Sequence, residues 1–88
     1  MTDREWQDRY EITSVKGKIW KRSEVQARAM KMTTTLLADT PRNAVLEAVK
    51  LVLDDETFMR QRRGMVPARV IEDVAFEAFA RLTRKPRA

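Results

Sequence analysis

Eighty-eight residues, 43% of them hydrophobic and 35% charged, describe one globular domain of the size that buries only about 60–65% of its unfolded surface. The formal charge is +5 and neither cysteine nor histidine occurs, which excludes disulfides, thiolate metal sites and the commonest general base and metal ligand. No apolar run approaches the ~18 residues needed to cross a bilayer, and the opening MTDREWQDRY lacks the basic start and apolar middle of a signal peptide, so a cytoplasmic protein without membrane contact is expected.

Near the start, Thr2 and Glu5 stand at capping-box spacing, and Trp6 and Tyr10 fall four residues apart on one face of a short helix. The segment EITSVKGKIW, residues 11–20, flanks Lys16-Gly17 with β-branched and aromatic residues. It suits a short β-hairpin with Gly17 at the positive φ of a tight turn; lysine is a mediocre turn residue, so an irregular loop is the alternative. Ser23 and Gln26 then take the cap and third positions of a second helix, with Glu24 at its positive end. Val25, Ala29, Met32 and Leu36 supply its buried stripe. The run Thr33-Thr34-Thr35 costs helix propensity. Either packing carries the helix through it, or the chain restarts there as a helix-turn-helix over 23–39 whose turn lacks the usual glycine.

Thr40-Pro41 predicts the next boundary, a hydroxyl cap followed by proline at the first helical position. Val45, Ala48, Val49 and Val52 form the apolar strip of that third helix, widened by Leu46 and Leu53. Acids at 54–56 precede Phe58, and Arg60, Arg62 and Arg63 precede Gly64, the order a helix dipole prefers, with glycine as the stop. A last helix is predicted from about Pro67 to Arg84, in which Arg69 with Asp73 and Glu77 with Arg81 can pair across a turn. Its remaining circumference is nearly all apolar, from Val70 to Leu82. The expected fold is therefore mainly α, a compact bundle of three to four helices with the short N-terminal β-hairpin, in a single domain over 1–88 whose basic tail, about 84–88, is mobile. A last helix so broadly apolar exceeds what a small monomer covers, which predicts a homodimer or a larger protein partner through Val70, Val74, Phe76 and Phe79.

Charge is segregated. Lys16, Lys18, Lys21, Arg22, Arg28 and Lys31 meet a single acid, Glu24; Arg60, Arg62, Arg63 and Arg69 meet none; Arg81, Arg84, Lys85 and Arg87 close the chain. Acids gather over 39–57 and 70–80. Such clusters, converging on one surface, would suit a polyanion, and DNA backbone phosphate is the expected ligand. Arg62, Arg63 and Arg69 would position the duplex, and exposed residues near Arg28 and Lys31 would reach base edges. The stretch FMRQRRGMVPARV, residues 58–70, is thus either a phosphate grip or the seam between two helices. The function expected is a small basic DNA-binding protein, a dimeric regulator. The alternative is a protein-binding inhibitor or adaptor that uses the apolar last helix, five methionines and two tryptophans as an adaptable surface. Ser14 and Ser23 occupy no nucleophile-elbow setting; neither an enzyme, a cofactor nor a metal site is expected.

Overall fold

The three-to-four-residue apolar spacings become three long helices packed on one another, with two short helices against them. A computed structural model describes residues 1–84, in which α1 is Asp3–Arg9, α2 Arg22–Leu36, α3 Arg42–Asp54, α4 Glu56–Arg60 and α5 Pro67–Thr83. The helices α2, α3 and α5 contact each other pairwise, α1 lies on α2, and α4 lies on α3. Val45, Val49 and Val52 of α3 and Val74 of α5 are completely enclosed, with Val25 and Ala29 of α2 beside them. Residues 85–88, which hold most of the expected mobile tail, lie outside the described residues.

At the N-terminus the local signals behave as read. Thr2 Oγ1 accepts the Glu5 N–H at 3.1 Å, and the Trp6 and Tyr10 rings meet edge to face with centroids 6.0 Å apart. The expected β-hairpin does not form, and no strand occurs among the described residues. Its turn is nevertheless present: Lys16 and Gly17 both have positive φ, 57° and 73°, and the Lys18 N–H donates to the Val15 carbonyl at 3.2 Å. That is the geometry of a primed hairpin turn. The arms fail to pair because a single buried residue takes their donors instead. Gln7 accepts the Ile12 N–H on its backbone carbonyl at 3.0 Å and the Trp20 N–H on its side-chain Oε1. Ile12 and Trp20 are buried in the helical core, which stabilises this arrangement, whereas an isolated two-stranded ribbon is at best marginal.

Two expected caps are corrected. The α2 helix starts earlier than Ser23: the Lys21 carbonyl accepts the Glu24 and Val25 N–H groups at 3.0 and 3.2 Å, and no side chain caps the end. At α3 it is Pro41, with ψ 135°, that flanks the helix and whose carbonyl accepts the Val45 N–H at 3.3 Å. Thr40 therefore stands one residue too far out to cap. The helix-turn-helix alternative over 23–39 is also excluded, since α2 runs unbroken through the threonines. Each hydroxyl donates to the carbonyl four residues back, at 2.8 Å from Thr33, 2.7 Å from Thr34 and 3.0 Å from Thr35, so the polar side chains are satisfied on their own helix. Thr33, fully buried, also lies 3.4 Å from the Ala75 carbonyl of α5. It takes the place on the buried stripe that Leu36, 53% exposed, was expected to complete.

Gln7→Ala should cost about 1–3 kcal/mol, because it strands the buried Trp20 N–H without an acceptor. For a domain of this size that lowers the melting temperature by roughly 4–8 °C per kcal/mol. Thr40→Ala should stay within about 0.5 kcal/mol of the native chain. Thermal unfolding followed by circular dichroism checks both, and the reverse ranking would place the structural hydrogen bond at Thr40.

Candidate nucleic-acid interface

Basic side chains that carboxylates have not already taken are the most available to a polyanion, so the candidate surface is sought among the unpaired ones. Three consecutive acids at the junction of α3 and α4 hold bases from three other helices. Asp54 pairs with Arg22 at the start of α2, Asp55 with Arg81 of α5 at 2.6 Å, and Glu56 with Arg9 of α1. Asp55 additionally caps α4 by accepting the Phe58 N–H at 3.0 Å. That backbone donor first, and then the Arg81 guanidinium, hold the Asp55 carboxyl below its ordinary value against the opposing effect of partial desolvation.

The seam after α4 is occupied in part. Arg62 Nε lies 2.9 Å from Asp73 Oδ2, an ion contact rather than an aligned hydrogen bond, and the Arg62 guanidinium sits 4.4 Å from the centroid of the Phe58 ring. Asp73 therefore pairs with Arg62 and not with Arg69, the partner expected from spacing. The expected Arg81 to Glu77 pair is present at 3.6 Å, with Arg84 also 3.8 Å from Glu77. Arg63 reaches the Glu11 carboxylate at 3.2 Å. Gly64, at φ 75°, turns the chain and donates its N–H to the Glu11 carbonyl at 3.4 Å. Of the four arginines in this region, Arg60 and Arg69 are exposed and have no ion pair among the described residues.

A different face carries contiguous free charge. Lys18 and Arg28 both lie over the Trp20 ring, 4.2 and 5.3 Å from its centroid. Arg28 and Lys31 then border, with Met32, Ala68, Ile71 and Glu72, an open groove of about 320 Å³ between α2 and the first turns of α5. On its other side Lys31 shares a recess of about 340 Å³ with Met30, Thr34, Thr35 and Arg42. Lys18, Arg28, Lys31 and Arg42 thus form a row, each sharing a ring or a recess with the next. Within it Lys18 is paired with Glu24 at 3.3 Å, whereas Arg28, Lys31 and Arg42 have no ion pair among the described residues. Lys16 and Lys21 are exposed on the approach to α2. Arg22 is drawn to Asp54 instead. Sequence reading missed Arg42, because it falls in an acid-rich stretch; the available signal was a base at the first position of α3, where it opposes the helix dipole.

The expected partner-binding residues divide. Val70 and Val74 are enclosed by the chain's own core, Phe79 is half-buried, and Phe76 remains 59% exposed. Among the described residues no helix is long and apolar enough to cross a membrane. Comparison with protein-family models, with curated proteins and with solved structures finds no match.

The lowered Asp55 value fixes a pH response. A carboxyl whose folded value is depressed contributes stability above its unfolded value of about 4 and loses that contribution as pH falls through the folded value. Asp55→Asn should therefore melt below the native chain at pH 7, and the gap should begin to narrow as pH falls below about 4. Melting temperatures from pH 7 to pH 2.5 check this; a gap constant over the range would mean that the charge at 55 does not matter.

Proposed function

We propose that the chain is a DNA-binding protein that lays the outer face of α2 along duplex DNA. The reading rests on one observation, the row of Arg28, Lys31 and Arg42 with Lys18 beside it, in which three of four bases lack a carboxylate partner. A helix of 15 residues is about 22 Å long, and the major groove, about 12 Å wide, admits a helix. Arg28 and Lys31 project from adjacent turns of α2 and are the candidates to reach base edges. Lys18, Lys21 and Arg42 would hold phosphates at the two ends of the contact, and Lys16, at the tip of the 15–18 turn, would extend it. A binder of this kind, with no reaction to perform, regulates by occupying its site.

Subtraction also weakens the competing adaptor reading. Most of the α5 surface that motivated a partner is covered by α2 and α3, leaving Phe76 exposed and Phe79 half-buried, and a few exposed apolar side chains are ordinary on protein surfaces. The expected homodimer is left with the same narrow basis.

Fluorescence anisotropy on a duplex oligonucleotide, over about 50–200 mM salt, tests the proposal. Native protein should show log affinity falling linearly with log salt concentration. Changing Arg28, Lys31 and Arg42 together to glutamine should weaken binding to all sequences and reduce the slope by about 0.9 for each phosphate left without its basic partner. Changing Arg62 alone should lower stability and leave the slope unaltered. Salt-independent binding, or a triple variant that binds as the native chain does, would overturn the assignment.

A further inference from the structure

We propose a second anion site, separate from the α2 face: a three-arginine recess between α1 and α4 that takes a small phosphate dianion, either inorganic phosphate or a terminal phosphomonoester. Arg9, Tyr10, Glu11, Arg60 and Arg63 line a recess of about 210 Å³, the volume of about seven liquid waters. It has room for one phosphate group and part of its hydration shell. None of these residues belongs to the Arg28, Lys31 and Arg42 row.

The charges at the recess are incompletely matched. Arg9 is held by Glu56 and Arg63 by Glu11, whereas Arg60 has no carboxylate partner among the described residues. Both existing pairs are solvated, with side chains 40% and 52% exposed in the first and 74% and 54% in the second. Pairs that wet hold weakly. A dianion engaging three guanidiniums, whose planar forks match phosphate oxygens two at a time, can displace them. Arg9 also stacks 5.8 Å from the centroid of the buried Tyr10 ring, which limits its rotamers and lowers the ordering cost of binding.

Glu11 follows the C-cap of α1 with φ 52°, the left-handed position that commonly closes a helix. Here its N–H donates to the Asp8 carbonyl at 3.2 Å and its carbonyl accepts from Gly64 at 3.4 Å. Its carboxylate stands at the rim beside Arg63, where it competes with an incoming anion.

Thermal unfolding of the full chain in inorganic phosphate, against chloride at equal ionic strength, tests the site. Phosphate should raise the melting temperature of the native chain, Arg60→Gln should lose most of that rise, and Glu11→Gln should enlarge it by freeing Arg63, with apparent binding tighter by up to about fivefold. Arg60 is exposed, so its variant should keep the native circular dichroism. A second measurement separates the sources: anisotropy of one duplex with either 5′-phosphate or 5′-hydroxyl ends. Tighter binding of the phosphorylated duplex that vanishes in Arg60→Gln identifies nucleic-acid ends. Equal binding of the two, with the phosphate-specific thermal shift intact, identifies the free ion. No phosphate-specific shift in the native chain, or the same shift in Arg60→Gln, overturns the site whatever the α2 face does.

Discussion

Three consecutive carboxylates, Asp54, Asp55 and Glu56, fasten α2, α5 and α1 to the junction between α3 and α4. Solvated ion pairs singly contribute about 0–1 kcal/mol, so their role is less to supply stability than to select geometry. Asp55 is the exception in kind, because one carboxylate both caps α4 and pairs with Arg81. The apolar stripes decide that the helices pack; the junction favours one arrangement of their ends. Five bases in excess of the acids must then lie elsewhere, and the acids at this junction and at Asp73 determine where.

That constraint explains why the arginine-rich seam and the α2 face differ in charge pairing although both looked equivalent as strings of charge. Arg62 packs on Phe58 and meets Asp73, which pins the 61–66 connection between α4 and α5. Its positive charge is used in folding. Along α2 the acids are sparse, with Glu24 engaged by Lys18 and Glu72 at the edge of the groove. Charge there stays available to solvent or to a ligand, and the Trp20 ring holds both Lys18 and Arg28 by cation–π contact.

Features determined within one or two helical turns were legible from the sequence: the Thr2 cap, the Trp6 and Tyr10 face, the α3 and α5 apolar stripes and Pro67 as a start; Gly64 turns the chain as a glycine should, but α4 already ends at Arg60. Features decided by distant partners were not. The positive φ at Gly17 was readable, yet whether its arms would pair depended on Gln7, which reaches across 13 residues to Trp20. Spacing offered Asp73 a partner at Arg69, four residues away, but the turn at Gly64 brings Arg62 round to it. Arg42 was hidden for the same reason, since linear charge counting placed it among acids whose side chains point to other helices.

Carboxylates hold Arg62 and Arg63 of the seam, whereas Arg28, Lys31 and Arg42 of the α2 row have no ion pair among the described residues and are proposed to meet the duplex. Amide chemical-shift changes during titration with a duplex bearing 5′-hydroxyl ends measure this most directly, since both surfaces are read in one experiment. Salt-sensitive changes are expected at Lys18, Arg28, Lys31 and Arg42, with Arg62 and Asp73 unmoved. Changes concentrated between Phe58 and Arg69, with α2 silent, would contradict that claim.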